Sequence, residues 1–210
     1  MTPNDKTKLK NERQIRALQA FAPVTAKRID CDHYVEGYAT TYEPYVLWED
    51  EDGPIYERFE RGCFAQCDLS DVIYQLNHQG TVFARQSNGT LIVEPDDVGL
   101  FVAADLGRTA AARAHHEEIE AGMITKMSWG FICGDHYFDR ASRTIVHRTV
   151  KKVFDVSGVS IPANQNTEIN ARSWADGVID LAARSEAELD ERRRRLRLKI
   201  QILGGASHEN

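Results

Sequence analysis

The chain has 210 residues, long enough for one globular domain with a real core, and 26 basic against 32 acidic residues give a net charge of −6. That balance disfavours a general nucleic-acid binder, which carries a basic footprint, while leaving room for a local basic patch. No run reaches the roughly 18 apolar residues that span a bilayer, the chain opens without an apolar secretory segment, and Cys31, Cys63, Cys67 and Cys133 are scattered through core-forming sequence, the pattern of free thiols in a reducing cytoplasm.

Residues 1–26 are charged, and NDKTKLKNERQIRALQAFAP reads as a peripheral helix that stops before Pro23. From about residue 27 to 106 the pattern changes to short strands, YVEGYATTY, PIYERFERG, DVIYQLN, TLIVEP and LFVAADL, punctuated by Asp52-Gly53, Asn88-Gly89 and Asp96-Asp97. Thr109 then caps a helix, AAARAHHEEIEAG, which ends at Gly122. The stretch TKMSWGFICG reads as a strand with Met127, Trp129, Phe131 and Cys133 on a core face and Ser128, Gly130, Ile132 and Gly134 on the other. A hairpin around Asp139 to Ser142 sets His136 across from His147, and TIVHRTVKKVFDVSGVSIP carries the β pattern to Pro162. The expected fold is mainly β with flanking helices (α+β), its domain at residues 27–172. A closed or partly closed barrel is expected, because closure removes the edges so many short strands would expose.

Residues 173–210 read as a linker and a C-terminal helical docking tail. Ser185 and Glu188 form a capping box, Leu189, Leu196, Ile200 and Leu203 fall on one stripe, and Gly204-Gly205 can end the helix. The run Arg192 to Arg195 is read as a solvated face.

Three residues carry chemistry. Ser128 stands on a face left bare by Gly130, His78 ends a strand-like run beside turn residues, and Asp155 lies among Val153, Phe154 and Val156, where a carboxylate needs a partner. A serine hydroxyl becomes a nucleophile when a base lies within hydrogen-bond reach and a third group holds that base. Spacing alone does not bring the three together. Other groups have plain readings: His115 and His116, about 100° apart on a helix, are surface residues. Asp96 and Asp97 serve a turn, and Cys63 and Cys67 pack rather than hold zinc, with no metal or cofactor expected.

The ordered segments GYATTYEP, ERFERGCF, VIYQLNHQG, GTLIVEPDDVGLFVAADL, IEAGMITKMSWGF and FDVSGVSIPANQNTEINAR, over about residues 35–172, resemble the caudovirus prohead protease family, which processes the capsid and scaffold of tailed bacteriophages. The resemblance implies His78 as base, Ser128 as nucleophile, and a barrel ringed by helices like that of the herpesvirus maturational proteases. Those enzymes have a second histidine where this chain has Asp155, so Glu60, Glu94 and Asp135 stay open as third members. Trp129 stands where the family has phenylalanine. The resemblance also implies major capsid protein and scaffold as substrates, self-cleavage, and a portal-associated prohead shell as the place of work, inside the immature capsid in the host cytoplasm. It calls for no nucleic acid, membrane or cofactor and leaves a homo-oligomer open. An oxyanion hole is sought at residues 161–164 or from Arg140, Arg143 or Arg148. The rival reading is an inactive scaffold or capsid assembly protein that works through its C-terminal helix.

Overall fold

Three β-sheets share the buried apolar side chains of the protein. The computed structural model describes residues 13–20, 27–160 and 165–205. In chain order the strands are β1 (Arg13–Ala20), β2 (Tyr34–Thr41), β3 (Tyr45–Asp50), β4 (Gly53–Phe59), β5 (Ile73–Leu76), β6 (Gln79–Arg85), β7 (Leu91–Pro95) and β8 (Gly99–Asp105). Helix α1 (Ala110–Glu120) leads to β9 (Lys126–Cys133), β10 (His136–Asp139), β11 (Thr144–His147), β12 (Val150–Val159) and helix α2 (Gln165–Gly205). One sheet runs β1-β9-β12-β5-β6, a second β10-β11-β4-β3 and a third β2-β8-β7. The mainly β, α+β expectation is met. Barrel closure is not seen among the described residues, where the three hydrogen-bonded orders have free ends.

The alternation in β9 is as the sequence implies: Met127, Trp129, Phe131 and Cys133 are fully buried. The Trp129 and Phe131 rings stack, and Phe59 meets both edge-on. Thr109 caps α1, its hydroxyl accepting the Ala112 N–H at 3.1 Å, and Gly122 ends the turn with φ of 73°. His136 pairs with His147 across β10 and β11.

Three expectations need correction, and two strands have no counterpart in the sequence reading. Residues 13–20, read as part of a helix, form a strand paired with β9; the rest of that helix lies outside the described residues. The strand inverts the usual pattern, turning Gln14 and Arg16 inward, which is why hydrophobic periodicity missed it. His115 and His116 are buried rather than on the surface. His115 stacks on Phe83 and faces Tyr74, and burial pushes its imidazole below the usual range. Strands β3 and β6 carry no signal read from the sequence. Finally, α2 has no start at Ser185: it is continuous from Gln165, since its Ala-, Glu-, Arg- and Leu-rich sequence holds no proline and a single glycine, Gly177, before the closing glycines. Val178 is buried in the core and Ile179 packs against it. Beyond residue 182 the described side chains of α2 are exposed.

Inward-facing Arg16 finds a built partner. Its guanidinium makes a bidentate pair with Glu57 of β4, Nε–Oε2 2.6 Å and Nη2–Oε1 2.9 Å. His147 of β11 reaches Glu57 Oε1 at 2.8 Å and the Tyr45 hydroxyl donates to Oε2. Burial pushes the Glu57 carboxyl up, but the Arg16 charge and the His147 hydrogen bond outweigh it and hold it well below the usual carboxylate range. This cluster ties β1 of one sheet to β3, β4 and β11 of another.

A carboxyl depressed in the folded state adds stability above its unfolded value and loses it on acidification. The stability of the protein is therefore expected to fall steadily below about pH 4.3. Glu57→Ala, which strands a buried guanidinium, is expected to cost about 3–5 kcal/mol at neutral pH and to flatten that acid slope. Urea unfolding of both proteins at several pH values checks both outcomes.

Candidate active site

The site is assembled on β9, β12 and the turn between β5 and β6. Strands β9 and β12 run antiparallel with Ser128 opposite Ser157 and Gly130 opposite Asp155. The pairing is irregular between Val153 and Asp155. Without that irregularity Asp155, two residues after core-facing Val153, would also face the core. With it, Val156 returns to the core opposite Trp129, and Asp155 and Ser157 turn to the face of Ser128. Gly130 adds no side chain between them.

His78 reaches this face from a two-residue turn. Leu76 pairs with Gln79, and between them Asn77 and His78 have φ of 51° and 61°. Two left-handed central residues define a turn that favours Asn-Gly, so histidine occupies the place where glycine is preferred, a strained choice for a side chain with a Cβ. The turn is fixed to β12: Asn77 N–H donates to the Gly158 carbonyl at 3.0 Å, His78 N–H to Ser157 Oγ at 3.1 Å, and Ser160 N–H to Asn77 Oδ1 at 3.2 Å.

Held this way, the His78 imidazole spans the other two groups. Nδ1 lies 2.5 Å from Asp155 Oδ2 and Nε2 lies 2.6 Å from Ser128 Oγ. The three residues singled out from the sequence therefore meet, although 77 positions separate His78 from Asp155 and 50 separate it from Ser128. Asp155 and Ser128 are 1 % exposed, and the imidazole 11 %. A carboxylate on one ring nitrogen and a hydroxyl on the other is the arrangement in which imidazole can take a proton from serine while its charged form is stabilised.

Ser157 is a site residue that the sequence reading missed. Fully buried, its hydroxyl donates to Asp155 Oδ2 at 3.2 Å while accepting the His78 N–H, joining Asp155 and His78 through one atom. The signal was present in the DVS triplet, where period two puts Asp155 and Ser157 on one face. The other candidates are elsewhere. Glu94 pairs with Arg28, Asp135 with Arg148, Arg140 with Glu186 and Arg143 with Asp50, while the Glu60 N–H donates to the His147 carbonyl. Residues 161–164 lie outside the described residues. Cys63 and Cys67 are unpaired thiols, and burial pushes each up to about 12. Among the described residues no group of three His, Cys, Asp or Glu is placed to hold a metal.

Comparison with known families matches the chain to the model of the caudovirus prohead serine protease over residues 23–177, more than half its length. Comparisons with curated proteins and with solved structures found no match.

Ser157→Ala removes the acceptor of the His78 N–H and a donor to Asp155. The His78 amide is expected to exchange with solvent about fivefold faster, the equivalent of one hydrogen bond of about 1 kcal/mol, and the fold to be retained. Amide exchange followed by NMR checks this; unchanged protection would show that other contacts hold the turn.

Proposed function

The chain belongs to the caudovirus prohead serine protease family, and from that membership we propose that it is the endopeptidase that cleaves scaffold and major capsid protein, and its own ends, during prohead maturation. The single observation that carries the residue roles is the His78 imidazole seated between Ser128 Oγ and Asp155 Oδ2. Ser128 Oγ attacks the scissile carbonyl carbon while His78 Nε2 takes its proton. Collapse of the tetrahedral intermediate breaks the C–N bond, and Nε2 returns the proton to the departing amine. A water molecule, deprotonated by the same nitrogen, then releases the acyl group from Ser128. Asp155 accepts the Nδ1–H throughout, fixing the ring and stabilising its charged form.

The tail has its own part in this reading. Leu189 and Leu196, seven positions and about two turns apart on one stripe, are half exposed on the part of α2 that leaves the domain. That segment docks the enzyme on scaffold or capsid subunits of the immature shell.

Labelling by a fluorophosphonate, mapped by mass spectrometry, is expected at Ser128 in the native protein and absent after denaturation or in Ser128→Ala. Labelling at another residue, or none in isolated and particle-bound protein alike, would favour an inactive assembly protein. Ser128→Ala and His78→Ala are each expected to lower turnover by several orders of magnitude, and the double variant by little more. Asp155→Asn is expected to lose about 10⁴ in rate per folded molecule at a near-normal melting temperature; a normal rate with a lowered melting temperature would make Asp155 structural. Truncation after Arg184, which spares the packed part of α2, is expected to leave small-peptide hydrolysis intact and to reduce incorporation into particles, measured by protease content per particle.

A further inference from the structure

Strand β9 has two edges, and both are taken. One pairs with β12, which carries Asp155 and Ser157 and cannot leave without dismantling the site. The other pairs antiparallel with β1, placing Ala17 opposite Ser128 and Arg16 opposite Trp129. Strand β1 is the outermost of its sheet, so its departure breaks a single ladder. That ladder is irregular between Ala17 and Gln19, beside the nucleophile.

The contact at Ser128 is specific. Its hydroxyl donates to the backbone carbonyl of Arg16 at 2.7 Å. A hydroxyl has one hydrogen. While it points to Arg16, His78 Nε2, at 2.6 Å from the same oxygen, can meet Oγ only as a donor, and a nitrogen that donates is not a base. The strand also leaves Ser128 1 % exposed. The Arg16 carbonyl thus competes with His78 for the proton that attack requires, and β1 fills the place where an extended peptide would pair with β9.

We infer that β1 is a built-in occupant of the peptide-binding edge of β9, so that the chain as folded is latent and a substrate segment enters by replacing β1 beside Ser128. This rests on the proposed role of Ser128 as nucleophile. The partner that fits the vacated edge is an extended polypeptide supplying backbone N–H and C=O groups, running antiparallel to β9. The buried pair of Arg16 and Glu57 is the latch that keeps the occupant seated.

The test locks β1 without weakening the fold. Ala20 and Lys126 are opposed at the end of the β1–β9 ladder, and Ala20→Cys with Lys126→Cys allows a reversible cross-link. Ser128 labelling by a fluorophosphonate and hydrolysis of a peptide are measured on the full chain, oxidised and reduced, with the wild type treated in parallel to account for its own thiols. A second variant carries a foreign protease site after Pro23, so that β1 can be cut from the chain yet remain bound. Oxidation of the double-cysteine protein is expected to slow both reactions by about tenfold or more, because the competent state becomes rarer, reduction to restore them, and the cut to speed them. Equal rates in locked and reduced protein would overturn latency while leaving the nucleophile in place. If Ser128 is labelled in none of the forms, cut chain included, the nucleophile itself is wrong and the latent strand falls with it.

Discussion

The site depends on the register between β9 and β12. In a strand, successive side chains point to opposite faces, so a slip of one residue would exchange every inward and outward group. Ser128 opposite Ser157 and Gly130 opposite Asp155 put three polar side chains and an opening on one face, and Trp129 opposite Val156 puts apolar bulk on the other. A slipped β12 would press the Asp155 carboxylate into the core, where an unpaired charge is not tolerated. The core and the site therefore specify the same pairing. Gly158 adds to this from behind: a Cβ there would come within 2.9 Å of His115 Nε2 and Ile124 Cγ2 and 3.0 Å of the Tyr74 hydroxyl, so α1 and β5 close against a strand with no side chain at that point.

His78 is held through its backbone as well as through both ring nitrogens. A histidine in a left-handed turn position is disfavoured and persists only where its surroundings over-determine it. Here the determinants come from β12 and the residue that follows it: the Gly158 carbonyl, the Ser157 hydroxyl and the Ser160 amide each hold one group of the Asn77–His78 turn. The same strand thus supplies the Asp155 carboxylate and most of the frame that holds His78. Displacement of β12 would disturb both together, and the hydroxyl of Ser157 couples them at one atom.

Much of this was legible in the chain, and the limits have physical causes. The face assignment in TKMSWGFICG needed only period two and held. His78 and Asp155 could be named as polar groups in unusual settings, but their meeting rests on a parallel β5–β12 pairing across about 80 residues that no local pattern encodes. Barrel closure was inferred from strand number, whereas which edges pair is decided in three dimensions. The first strand was misread because its inward groups are Gln14 and Arg16, and polar residues facing in look like a solvated helix until Glu57, 41 positions away, is seen opposite. His115 and His116 failed for a related reason: adjacent positions on a helix were taken as surface, while α1 buries both against Phe83, Tyr74 and His33.

Arg16 joins two systems that the sequence gives no reason to connect. Its carbonyl accepts from the Ser128 hydroxyl, and its guanidinium sits in the carboxylate of Glu57 together with His147 and Tyr45. These are ends of one residue, so β1 cannot withdraw its carbonyl far from Ser128 while the guanidinium keeps both bonds to Glu57. A buried guanidinium that leaves its carboxylate strands a charge on each side, so partial withdrawal is disfavoured and the strand is either seated or gone. A closely fitted buried ion pair of this kind contributes little net stability over an apolar pair of the same shape. What it provides at this position is a two-state choice, with the accessibility of Ser128 following the placement of one arginine.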